Sequence, residues 1–302
     1  MKRIIVAGGS GFLGRSLTPL LVSKGYKIIV LGRGPSREKA GVDFVQWNGA
    51  TIGRWSELLD GAKAVVNLTG KSVNCRYTPA NRREIIDSRV NSVRVLGEAI
   101  AKCVHAPEAF VQASSLAIYG DAGDRWCDES TPQGEGFGAD VCRLWENALD
   151  KIRAPGMRRS VHRIGFALGP NGGILEFLAR LTLWFLGGQV GHGQQFISWI
   201  HVEDLNRMLL LAIERDDIEG VFNATAPNPV TNAVFMRELR SALHRPWSPP
   251  VPAPMAHLGA WVMGTEASLA LTGRRCAPKR FLEKGFKFDF PDLRDALRNI
   301  YC

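Results

Sequence analysis

The chain is expected to adopt an α/β fold built on a doubly wound parallel sheet, and three observations predict it. A β-branched run, Ile4-Ile5-Val6, leads directly into glycines 8, 11 and 14, after which a helix-like segment begins. Short apolar runs recur at 27–31, 64–68, 109–113 and 160–164. Between them lie segments with helical periodicity. Strands covered on both faces read as such apolar runs, and strand–helix alternation implies right-handed crossovers between parallel strands.

The opening turn has the spacing of a phosphate cradle. Gly8 suits the tight turn, Gly11 lets the backbone approach an anion, and Gly14 lets the new helix pack closely on the sheet. The N–H groups of the same turn, from Ser10, Phe12 and Leu13, then face the anion at the positive end of the helix dipole. With 32 glycines in the chain the spacing alone is weak, and an ordinary strand-to-helix turn is the alternative.

The second strand, Lys27–Leu31, ends at Gly32-Arg33, about twenty residues past the glycines. An acidic residue there would hydrogen-bond a ribose hydroxyl, whereas an arginine fork suits a 2′-phosphate. Arg37 is a second cation nearby, and a solvated loop is the competing reading. The third strand ends in Asn67-Leu68-Thr69-Gly70, a small tip of the kind a cofactor passes in open α/β sheets. In residues 79–101, Ile86, Val90, Val93, Gly97 and Ile100 recur at spacings of three and four, giving one buried stripe, with Pro79 and Asn81 at the expected helix start. The fourth strand ends in Gln112-Ala113-Ser114-Ser115 and continues to Tyr119-Gly120. Its hydroxyls are candidates to hold a substrate oxygen, with a plain turn as the alternative. Beyond about residue 165 glycine-rich loops break the rhythm, helical patterns follow at 202–214 and 231–243, and a proline-dense link runs from Arg245 to Pro252.

Composition narrows the function classes. The apolar fraction of 45% and charged fraction of 22% are those of a water-soluble globular chain. Neither a leader peptide nor a membrane span is read, since the greasiest stretch, Ile174 to Leu186, is short and carries Glu176 and Arg180. The six cysteines (75, 103, 127, 142, 276 and 302) show no Cys-x-x-Cys pair, and the histidines do not gather. Reduced thiols, a cytoplasmic location and no metal are therefore expected. The net charge of +9 is spread along the chain without a basic tail, which reads as a surface tolerant of anionic ligands rather than a nucleic-acid site. A small-molecule substrate, no nucleic-acid or membrane partner, and a monomer or homodimer are the expectations.

Together the glycine turn, NLTG, Ser114-Ser115 with Tyr119-Gly120, Arg163-Ile164-Gly165 and Trp199–Leu205 resemble the extended short-chain dehydrogenase/reductases, the NAD(P)-dependent epimerase/dehydratase superfamily. More narrowly, Ser198–His201, Phe222–Asn232 and Pro278–Phe286 are similar to its epimerase-like subgroup of the YfcH and human SDR39U1 type. The resemblance spans nearly the whole chain and implies a Rossmann-type sheet with a small, mostly helical C-terminal substrate lobe. It implies an NADP-binding domain over 1–245, with lobe insertions from about 165, and a C-terminal segment, 246–302, completing the lobe. It also implies NADP(H) as cofactor and contacts at Gly32-Arg33, Leu68-Thr69, Glu84, Arg89 and Arg163. For Arg163 a sheet-end salt bridge is the alternative, and for Glu84 a solvated helix position.

One feature of that superfamily is missing. Its acid/base chemistry rests on Tyr-x-x-x-Lys, and none of Tyr26, Tyr77, Tyr119 or Tyr301 has a lysine four residues on. Counting back from Glu146 places Gly138 and Cys142 at those positions. Ser115 and Tyr119 remain the catalytic candidates, with Cys142 and Arg143 weaker ones; His201 reads as a wall or cap residue of the cleft. The expected function is an NADP-dependent oxidoreductase or epimerase with unusual acid/base groups; the alternative is an NADP-binding regulatory protein that does not turn over.

Overall fold

The computed structural model describes residues 2–302. The first half of the chain runs β1 (Arg3–Ala7), α1 (Phe12–Ser23), β2 (Lys27–Gly32), β3 (Arg37–Lys39), β4 (Val42–Gln46), β5 (Ala64–Asn67), α2 (Pro79–Ile100), β6 (Ala109–Ser115), β7 (Trp126–Cys127), α3 (Phe137–Asp150) and β8 (Arg158–Ile164). The second half adds β9 (Phe166–Leu168), α4 (Gly173–Leu183), β10 (Phe196–Ile197), β11 (Trp199–His201), α5 (Val202–Glu214), β12 (Gly220–Ala224), β13 (Val230–Thr231) and α6 (Asn232–Ala242). It closes with α7 (Ala253–Met263), α8 (Ser268–Leu271), β14 (Arg275–Cys276), α9 (Lys279–Glu283) and α10 (Leu293–Tyr301).

Eight strands form the main sheet in the order β12-β8-β6-β5-β1-β2-β4-β3. Every neighbour pair is parallel except β3 with β4, at the edge. The chain therefore leaves β1 in one direction, through β2 and β4, and returns to lay β5, β6, β8 and β12 on the other side. With right-handed crossovers, that reversal puts α1 and α2 on opposite faces and opens a crevice at the carboxyl ends of β1 and β5.

The opening run and the runs at 27–31, 64–68 and 109–113 are strands because both their faces are covered. Ile4 to Ala7, Ile28 to Leu31, Val65, Val66, Phe110 and Val111 are almost wholly buried in one cluster. Two features depart from the sequence reading. β4, with sequence VDFVQ, carries no unbroken apolar run because it lies near the edge and three of its five residues are only half-buried. In α2 the stripe holds at Val93, Gly97 and Ile100, but Ile85 replaces Ile86 on the buried face and Val90 is only half-buried.

A second core fills the smaller lobe. Trp199, Phe235, Leu239, Leu293 and Leu297 pack together there, with α10 against α6. The C-terminal segment does not stay in that lobe. β14 pairs in parallel with β7, and α9 lies on β12, where Phe281 meets Phe222 with ring centroids 4.9 Å apart.

Candidate functional site

The cradle is built by backbone, and its geometry depends on missing side chains. Gly8 has φ +74°, and a Cβ there would meet the Leu68 and Thr69 backbone at 3.0 Å. At Gly14 a Cβ would lie 2.3 Å from the Gly9 Cα, so only glycine lets α1 start this close to the turn. Gly11 caps the helix without a side-chain hydrogen bond, and the first turn holds no acidic residue. Ser10 and Gly11 are exposed. The uncapped N–H groups of this turn therefore remain available to an anion.

Cations surround the entrance. Arg33 is exposed just beyond β2, and its guanidinium has no partner among the described residues. Arg37 instead leans on Phe44, 5.2 Å from the ring centroid. Arg15, which the sequence reading did not single out, crosses the turn and donates to the Ser10 carbonyl at 3.1 Å.

Across the crevice, the β5 tip is held by Asn67, whose amide donates to Ser92 and Gln112 while its Oδ1 accepts the Thr69 N–H. The Thr69 hydroxyl is buried with no protein partner. Gly70 faces Arg89 so closely that a Cβ would lie 2.9 Å from its Cζ. Arg89 donates to the Lys71 and Ile85 carbonyls and lies 5.0 Å from the Trp145 ring centroid. Burial lowers its pKa from the ordinary arginine value, and no carboxylate pairs with it among the described residues. Glu84 does not face Arg89; it pairs with Lys71, whose ammonium also donates to Asn81 at 2.8 Å. Lys71 was invisible as a site residue because its partners come from the helix ten and thirteen positions on.

The residues expected to do chemistry divide sharply. Tyr119 is fully buried. Its hydroxyl accepts from Arg163 Nη1 at 2.9 Å and lies 2.8 Å from both the Asp128 carbonyl and Asn223 Oδ1. Burial above all, against the opposing pull of Arg163, pushes its pKa up to about 12. Its hydroxyl is thus enclosed by protein partners. Arg163 forms the sheet-end salt bridge that the sequence left open for it. Glu146 takes its Nε and Nη2, Tyr119 takes Nη1, and the side chain is only 6% exposed, so this guanidinium closes a buried network rather than meeting phosphates. Burial alone would disfavour its charge, but the Glu146 carboxylate reverses that and raises its pKa.

Ser114 also points inward, donating to Glu146 at 2.6 Å. Ser115 does not. It stands half-exposed at the end of β6, its Oγ accepting the Ala117 N–H at 3.2 Å, so its own proton remains free to donate.

Gly138 and Cys142 lie on α3, with Cys142 buried and its thiol pushed up to about 11 by burial. That thiol is neither a cation nor a ready nucleophile. Cys127, Cys142 and Cys276, far apart in sequence, gather in one small core with Tyr119. His201 caps α5, accepting the Glu203 N–H at 3.3 Å, and its buried ring lies tilted against Phe290 with centroids 3.9 Å apart.

A parallel sheet with a glycine-cut anion cradle at its reversal point defines a dinucleotide-binding α/β protein of the extended short-chain dehydrogenase/reductase type. Residues 4–224 match the NAD dependent epimerase/dehydratase family, and residues 251–300 match a domain of unknown function, DUF1731. The chain belongs to the NAD dependent epimerase/dehydratase family. It is 34% identical over 299 residues to the epimerase family protein YfhF of Bacillus subtilis, covering 98% of this chain and 97% of that one. It is 33% identical to the human epimerase family protein SDR39U1, covering 99% of each. The crystal structure of human SDR39U1 (isoform 2) with NADPH superposes with a TM-score of 0.88 at 31% identity, covering 99% of both chains.

Proposed function

We propose that this chain binds NADP(H) at the β1–α1 cradle and presents it to a small or nucleotide-linked polar metabolite in the crevice. The observation that carries this reading is the uncapped first turn of α1, which only glycine at position 14 allows so near the preceding loop. The residues fit the cofactor. Ser10, Phe12, Leu13 and Gly14 would supply backbone N–H groups to a pyrophosphate, and Gly8 and Gly11, whose own N–H groups donate to the Leu31 and Gly8 carbonyls, would allow its close approach. Gly32 lets the chain pass Ser10, and Arg33 has an unpaired fork for a 2′-phosphate. Leu68, Thr69 and Gly70 would line the opposite wall, where the unpartnered Thr69 hydroxyl and the Arg89 guanidinium offer donors. Glu84, through Lys71, would hold the rim. NADPH bound to a relative of the same length and fold supports the choice of cofactor.

Bound NADP(H) supplies a hydride donor or acceptor. Ser115 would hold a substrate oxygen by donating its free O–H, with the C-terminal segment from 246 helping to close the lobe. No tyrosine and no lysine stand at the usual acid/base positions, and losing such help costs about 10²–10⁴-fold in rate. The enclosure of Tyr119 favours a second reading, an NADP-responsive regulatory protein, over efficient epimerisation. Either reading is compatible with a cytoplasmic monomer or homodimer.

The test is coenzyme discrimination. Arg33→Ala should weaken NADPH binding about tenfold to a hundredfold, the worth of a charged hydrogen bond, and leave NADH binding unchanged. An equal loss for both coenzymes overturns the 2′-phosphate assignment.

A further inference from the structure

The far end of the lobe carries an apolar surface that neither the cradle nor the crevice uses. α4 runs out into Trp184, Phe185 and Leu186, and Trp184 is 80% exposed. The loop beyond it pairs with the proline-dense link, through Val251 N–H to the Gln189 carbonyl at 2.8 Å and a parallel bridge between Val190 and Val251. This pairing ends at Val251, two residues before α7 begins, and so joins the end of α4 to the start of α7. On α7 only Ala260 is buried, while Met255, Leu258 and Trp261 are 62%, 63% and 65% exposed. Isolated exposed apolar residues are ordinary; a group of them on two joined segments, with three tryptophans, Trp247 included, marks a contact surface.

Its charge pattern selects the partner. No Asp or Glu occurs between Glu176 and Glu203, nor between Glu238 and Glu266. Three arginines border the band, and each donates to a carbonyl beside it: Arg245 to Leu183 at 3.4 Å, Arg240 to Gly187 at 2.7 Å and Arg76 to Trp261 at 2.6 Å. Arg245 and Arg76 also stack on Phe185 and Trp261, with centroid distances of 5.4 and 5.7 Å. None of the three forms an ion pair among the described residues, whereas Arg180 on α4 is paired with Glu176. Exposed tryptophan, leucine and methionine within a rim of unpaired arginines match the boundary between acyl chains and anionic headgroups.

We propose that the α4–α7 end of the lobe is a docking surface for an anionic phospholipid membrane, contacted from one side without being crossed. The sequence expectation of no membrane partner rested on the lack of a spanning segment. No helix among the described residues is long and apolar enough to cross a membrane, and surface contact requires none.

Flotation of the purified full chain tests this, using vesicles of phosphatidylcholine alone and vesicles also containing phosphatidylglycerol. Binding should be about a hundredfold tighter to the anionic vesicles, as three surface arginines supply, and should weaken as salt rises. Arg245→Gln and Arg76→Gln should each remove part of that preference, and Leu258→Ser and Trp184→Ser should each weaken binding to both vesicles. Unchanged circular dichroism confirms that each variant is folded. Three outcomes overturn the proposal: no flotation with anionic vesicles, equal flotation with both kinds, or a dimer that Leu258→Glu converts to monomer, since a second copy would then cover the band.

Discussion

Arg163 grips Glu146 with two nearly parallel hydrogen bonds, Nε to Oε1 at 3.0 Å and Nη2 to Oε2 at 2.9 Å, and the two side chains are only 6% and 10% exposed. The pair ties the end of β8 to α3, and through Tyr119 and Asn223 it reaches β12. Removing one partner from such a pair leaves a buried charge without compensation, at a cost of about 3–5 kcal/mol. Glu146→Ala should therefore lower unfolding stability by about that much in urea titrations. A loss below 1 kcal/mol would mean that water reaches the guanidinium.

Tyr119→Phe separates structure from chemistry. It should cost about 1–3 kcal/mol, because Arg163 Nη1 and Asn223 lose a partner within the core. NADPH affinity should be unchanged in calorimetry. Loss of a substrate-dependent rate from a stable Tyr119→Phe protein would restore this hydroxyl to the chemistry.

Ser115 carries the opposite expectation. Its O–H is free at the sheet edge while its Oγ caps the Ala117 N–H, so Ser115→Ala should cost only the cap, about 0.5–2 kcal/mol. Substrate-dependent NADPH oxidation, once a substrate is found by metabolite screening, should fall by about 10²-fold or more. An undiminished rate removes Ser115 from the site.

His162 gives a pH signature. Its ring is fully buried between Phe222 and Phe281, 3.2 Å from Ser160 Oγ, and burial lowers its pKa to about 3 from an ordinary value of 6.5. The folded state keeps the imidazole neutral while the unfolded chain binds a proton below pH 6.5. Stability should thus be fully present above pH 6.5 and fall progressively toward pH 3. His162→Gln should flatten the pH dependence of the denaturation midpoint across that window, and an unchanged slope would contradict the burial argument.

The fold was legible because the central strands are covered on both faces, so that Ile4–Val6 and Ile28–Leu31 cannot be mistaken for surface. The cradle was legible because glycine spacing is a local property, and Gly14 must meet Gly9 wherever the chain goes next. What escaped depends on distance in sequence. For Arg163 a cofactor contact and a sheet-end salt bridge both stay open until Glu146, seventeen positions earlier on another element, takes its fork. Tyr119 reads as a catalytic candidate because nothing near it announces Asp128 and Asn223 as partners. Lys71 and the clustering of Cys127, Cys142 and Cys276 escaped for the same reason: tertiary neighbours leave no period to count.

The central claim is that the turn between β1 and α1 holds a phosphorylated nicotinamide dinucleotide. Isothermal titration of the purified chain with NADPH and with NADH tests it most directly. Saturable binding of NADPH at one site per chain is expected, tighter than NADH by about tenfold or more and abolished by Gly14→Val. No heat and no thermal shift with either coenzyme, in oxidised or reduced form, would contradict it.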